Sequence, residues 1–120
     1  MKFSEEKFEG NYVSSYKEGK LHIGEKQYKS PVLLTKEVIN LNGLEDFSAL
    51  NVEYFQSLAA YEPEFVLLGF PMVSFAVPEA WSYACHSQGW SFEAMHVAAA
   101  CRTFAVLRSE NRKVLALLFP

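Results

Sequence analysis

Apolar and polar positions alternate in short stretches over the first third of the chain. Tyr12 to Tyr16 and Leu21 to Ile23 read as two strands. They flank Lys17-Glu18-Gly19-Lys20, a hairpin turn with glycine where a positive φ is needed. Gly24-Glu25-Lys26 marks a further turn. Ser30 to Leu34 is a strand with Pro31 near its start, where a missing N–H is tolerated. Val38 to Leu41 predicts one more, closed by Asn42-Gly43.

Beyond Asn51 the period changes. Val52, Phe55 and Leu58 recur about one turn apart, which predicts a helix over Val52 to Tyr61 with Asn51 as N-cap, and Pro63 prevents its continuation. Glu64 to Gly69 is a short apolar run of the kind covered on both faces of a sheet. A second helix is predicted from Pro78, in the first turn, to Gly89. Its Trp81, Ala84, Cys85 and Gln88 share a face. Ser91 to Met95 is a brief strand. Ala98 to Ser109 is the clearest helix, with Ala100, Phe104 and Leu107 as its inward stripe. Lys113 to Phe119 closes the pattern as an apolar strand.

This order predicts a compact three-layer α/β domain. A mixed central sheet carries flanking helices, and an N-terminal β-hairpin extends or flanks it. Parallel crossovers in such sheets are right-handed. Ligands sit beyond the carboxyl ends of the parallel strands. That rule points to Gly69–Met72 and Met95–Ala98, which are expected side by side.

Composition narrows the picture. At 120 residues the chain is the size of one domain, spanning 1–120. Half of it is hydrophobic, enough for a core without staples. The net charge of -3 argues against a nucleic-acid partner, because phosphate binding needs a basic excess. The charged start has no apolar stretch of the secretory kind, and residues 1–7 are expected to be a solvated, frayed end. Phe65 to Pro78, the longest apolar run, is too short and too interrupted to span a bilayer. Cys85 and Cys101 are therefore expected as reduced thiols in the cytoplasm.

The C-terminal third carries a more specific pattern. It runs through Glu93-Ala94-Met95, Ala99-Ala100-Cys101-Arg102-Thr103-Phe104, Val106-Leu107 and Glu110-Asn111-Arg112-Lys113-Val114. Upstream lie a Tyr–Ser–Tyr hairpin, Ser30 to Thr35, and an apolar strand ending in Gly69. Over roughly Phe8 to Leu118 the chain resembles the uncharacterised family that includes the mitochondrial complex I assembly factor and the adipogenesis-associated domain proteins. The resemblance implies a three-layer α/β domain and no assigned catalytic residues. Departures from the family pattern cluster at polar positions. Gly69-Phe70-Pro71 stands where the family favours Gly–Thr–Gly, Val97 replaces Thr, Ala105 replaces Asn, and Glu110-Asn111-Arg112 replaces Glu–Gly–Arg. The region is thereby more apolar.

Candidate chemistry is sparse. Cys101, read in the first turn of its helix and close to His96, has the setting of an activated thiol, but a small core residue is the simpler expectation. Cys85, His86, His96 and Cys101 lack the tight spacing of a zinc site, so no metal or cofactor is expected. The turn Gly69-Phe70-Pro71-Met72 is a poor anion cradle, since Pro71 lacks a donor and Phe70 blocks approach. Arg102 and Arg112 can grip a carboxylate or phosphate, although an ion pair to Glu110 or another acid is the default. The expected function is a non-catalytic binding or assembly module that meets a protein partner, as a monomer or weak homodimer. Phe70, Pro71, His96, Val97 and Arg102 are its candidate contact residues. The alternative is a small-molecule-binding protein or enzyme using the cleft near Phe70 and His96.

Overall fold

The structure, a computed structural model, describes residues 13–41, 43, 44, 46–72 and 76–120. The expectation for residues 1–7 lies outside the described residues. Strands β1 (Val13–Lys17), β2 (Lys20–Ile23) and β3 (Lys26–Tyr28) form a three-stranded antiparallel sheet. Glu18 and Gly19 both take positive φ in the first turn, the twist that two-residue hairpins require. The third strand is not among the expected ones, and its first residue, Lys26, falls in the expected turn. Lys26 and Gln27 are exposed and only Tyr28 is half-buried, so no apolar alternation betrays the strand.

The central sheet has five strands in the order β5-β4-β8-β6-β7, built from β4 (Val32–Leu34), β5 (Val38–Asn40), β6 (Phe65–Phe70), β7 (Ser91–His96) and β8 (Val114–Leu118). β6 pairs in parallel with both β7 and β8, while β4 pairs antiparallel with β8. Strand alternation divides the interior into two cores. On one face Val66, Leu68, Phe70, Leu115 and Leu117 meet helices α1 (Val52–Ser57) and α2 (Glu79–His86). On the other, Leu67, Val114, Ala116 and Leu118 meet helix α3 (Val97–Ser109), together with Leu21 and Ile23 of the N-terminal sheet. The three-layer arrangement follows from burial on both faces of β6 and β8.

Local boundaries depart from the sequence reading in instructive ways. Asn51 caps α1, its side chain accepting from the Tyr54 N–H at 2.8 Å. α1 then tightens into a 3-10 turn over Leu58–Tyr61, ended by Glu62 in a left-handed conformation. Pro78 is the N-cap of α2 rather than a member of its first turn. Gln88 lies past the end of that helix and is exposed, so it does not share the buried face of Trp81, Ala84 and Cys85. α3 starts one residue earlier than its period suggests, at Val97. Cys101 is thus its fifth residue and lies beyond the first turn.

Candidate functional site

At the carboxyl ends of β6 and β7 the two expected segments do stand side by side. Gly69 pairs with Met95 and Phe70 with His96. The chain passes from β7 directly into α3, because His96 is both the last strand residue and the N-cap of the helix. Its Nδ1 accepts from the Ala98 N–H at 3.1 Å, which occupies one of the donors that a helix start leaves free. Tyr16 meets the His96 ring edge-on at 5.9 Å and brings the N-terminal sheet to the same spot.

The crevice itself is filled. Phe70 belongs to β6, not to the turn after it, and is 5% exposed. Its ring lies 5.9 Å from that of Phe47, which in turn meets Phe119 at 6.0 Å. Val97 is fully buried on the other face of the sheet. Pro71 and Met72 project outward, and Arg102 is exposed on α3. Of the five candidate residues, two therefore face inward, two face solvent, and His96 is half-buried between them.

The opposite end of the sheet holds a feature that sequence reasoning missed. An open concavity of about 520 Å³ lies at the amino ends of β6 and β7. Two helix ends build it. α2 stops in a paired turn in which Gly89, at φ 89°, donates to the His86 carbonyl and Trp90 donates to that of Cys85. α3 stops in the same way, with Asn111 at φ 63° donating to Arg108 and Arg112 to Leu107. Trp90 and Arg112 thus occupy equivalent places after their helices, and both line the concavity. Arg112 Nε donates to Glu64 Oε1 at 2.8 Å, not to Glu110. That bond holds the Glu64 carboxyl below its ordinary range. Equivalent helix ends distant in sequence leave no local signal of this kind.

Comparison with known proteins decides the family. The family model described as "Protein of unknown function (DUF498/DUF598)" matches residues 13–119. The chain belongs to the DUF498/DUF598 family. Its architecture is shared by a Bordetella parapertussis protein of known crystal structure, at a TM-score of 0.82 and 23% identity over 92% of this chain and 96% of that one. A Bordetella pertussis protein described as a Mth938-like domain follows at 0.78 and 20%, covering 100% and 92%. A Xanthomonas campestris protein matches at 0.75 and 25%, covering 84% and 77%. No curated protein matches the sequence.

Within this DUF498/DUF598 domain, Asn111 takes a positive φ, a region that asparagine tolerates better than most residues other than glycine. Phe70 and Val97 are both buried, so an apolar side chain suits each place. Ala105 is half-buried on α3. Cys85 and Cys101 are free and buried in separate cores on opposite faces of the sheet. Burial pushes both thiols up to about 12 from an ordinary 9.0, and the nearby Arg102 only partly offsets this at Cys101. Neither is an activated nucleophile at neutral pH. Among the described residues no group of three or more His, Cys, Asp or Glu side chains is placed to hold a metal ion. No helix among them is long and apolar enough to cross a membrane.

Proposed function

We propose that this DUF498/DUF598 domain is a non-catalytic binding or assembly module that meets a protein partner at the carboxyl ends of β6 and β7. One observation carries the reading. The place where an α/β sheet usually holds its ligand is closed from within by Phe70 and Val97, while Pro71 and the 43%-exposed Met72 are presented outward. His96 pairs with Phe70 and is half-buried, and Arg102 is exposed on α3, the helix that His96 caps. An apolar contact edged by histidine and arginine suits a protein surface, where arginine and methionine are enriched. The assembly-factor part of the reading rests on the C-terminal pattern from Glu93 to Val114, which resembles the complex I assembly family. The module works as a monomer or weak homodimer in the cytoplasm, a setting that suits two free, buried thiols.

The test is capture from a native extract followed by mass spectrometry. Proteins retained by the parent chain should be lost with Met72→Glu and with Arg102→Glu. They should be kept with Tyr83→Ser, a change at a 75%-exposed residue of α2 on the far face. Equal retention by all three variants would defeat the reading. So would turnover or saturable binding of a small molecule beside Phe70 and His96, the enzymatic alternative.

A further inference from the structure

The concavity at the amino ends of β6 and β7 lies at the other end of the sheet from the proposed partner surface. From its geometry we infer a binding site for a small monocarboxylate, gripped by Arg112.

Glu64 takes only the Nε side of the Arg112 guanidinium. No other described side chain bonds that group, so its Nη1–Nη2 edge stays open. The two parallel N–H groups of this edge match the two oxygens of a carboxylate. The Glu64 bond, at 2.8 Å, is short and charge-assisted and leaves that edge directed away from the Glu64 carboxylate.

The surroundings supply further donors. Gln88 and Ser91, which carry an amide and a hydroxyl, also line the concavity. Trp90 is 8% exposed, and no acceptor among the described residues takes its indole N–H. Buried indoles usually find an acceptor, and a ligand oxygen would provide one. Pro63, Ala59 and the Trp90 ring offer apolar surface for a short carbon body.

Charge selects the ligand class. Glu62 and Glu64 both line the concavity, against the single guanidinium of Arg112. Lys113 approaches Glu62 at 3.9 Å and offsets part of that excess. A dianion such as phosphate would meet two carboxylates across one paired arginine, and like charges repel. A monoanion can use the open edge without that penalty. The ligand is either a free short-chain acid or the carboxyl end of a peptide, which present the same chemistry.

Two-dimensional 1H–15N NMR of the whole chain reads the site directly. The Trp90 indole and Arg112 Nε–H resonances should move saturably with propionate and stay still with propionamide. The indole of Trp81, buried in the core under α2, serves as the internal control. Arg112→Lys keeps the charge but removes the fork. It should weaken propionate binding about tenfold or more, equivalent to about 1.4 kcal/mol, with the other resonances in place. N-acetyl-dialanine separates the two sources. Tighter binding than propionate assigns a peptide terminus, and equal or weaker binding assigns a free acid. The inference is overturned if neither carboxylate gives a saturable shift. It is also overturned if propionamide or inorganic phosphate binds as well as propionate, or if Arg112→Lys binds undiminished.

Discussion

Gly69 and Ala100 bring β6 and α3 into closer contact than two ordinary residues allow. A Cβ at Gly69 would stand 2.8 Å from the Ala100 Cβ, 3.0 Å from the Val97 Cα and 3.1 Å from a Leu118 methyl. The Val97 contact is to backbone, so the neighbours cannot simply rotate away. Gly69→Ala should therefore cost about 1–3 kcal/mol by overpacking, measured by urea denaturation. Adding Ala100→Gly should restore only part of the loss, because it removes one of the three contacts and weakens the helix.

Phe70 and Met72 are two residues apart and should behave oppositely. Phe70→Ala uncovers the Phe47–Phe119 cluster and should cost about 3–5 kcal/mol. Met72→Ser removes an exposed side chain and should change stability by less than about 0.5 kcal/mol. Thermal or urea unfolding distinguishes them. A small loss at Phe70 would mean that its ring is not part of the core.

The helix-ending residues give a conformational prediction. Asn111 holds a positive φ of 63° at the end of α3. Alanine there should cost roughly 1 kcal/mol, and glycine should be neutral or mildly stabilising. Equal stabilities for Asn111→Ala and Asn111→Gly would rule out the left-handed turn.

Alkali should weaken the fold through Cys85, Cys101 and Tyr54. Burial raises both thiols to about 12 from 9.0, and it raises Tyr54 to about 12 from 10.0 with help from the nearby Tyr61. Below pH 9.0 all three groups are protonated whether the chain is folded or not, and their contribution is fully present. Above it the unfolded chain loses protons first, so stability falls as pH rises towards about 12. Denaturation midpoints should drop over this range, and less steeply in a Cys85→Ala/Cys101→Ala variant. Ellman's reagent should react slowly with the native protein and fully after unfolding. Fast native reaction at about pH 6 would require a depressed thiol pKa and contradict this account.

Much of the fold was legible because burial on both faces leaves a mark in the chain. The runs around Val66 and Leu115 name the central strands, and the Ala100–Phe104–Leu107 stripe names α3. Gly89 marks the end of α2 because a left-handed residue is needed there. Histidine is an uncommon N-cap, so the sequence pattern places the start of α3 one residue late. The 3-10 turn Phe47–Ala49 has too few residues to show a period. The side-by-side placement of Gly69–Met72 and Met95–Ala98 followed from topology alone. Which residues fill that place did not, because a phenylalanine in a strand and one in a turn look alike in sequence. The amino-end concavity was invisible, since Glu64, Trp90 and Arg112 meet only through tertiary structure.

The strand order has a consequence for synthesis. β8, the last of this sheet's described strands in chain order, lies between β4 and β6 and contributes Val114, Leu115, Ala116, Leu117 and Leu118 to the two cores by turns. While a ribosome is still translating, the emerging chain can form its first hairpin and the pair β6–β7. It cannot seal either core until residue 118 has cleared the exit tunnel. Over that interval Leu33, Leu34, Leu67 and Leu68 lack their central neighbour. The nascent chain is then most exposed to chaperones and to wrong pairings, and a single late event ends that exposure on both sides of the sheet at once.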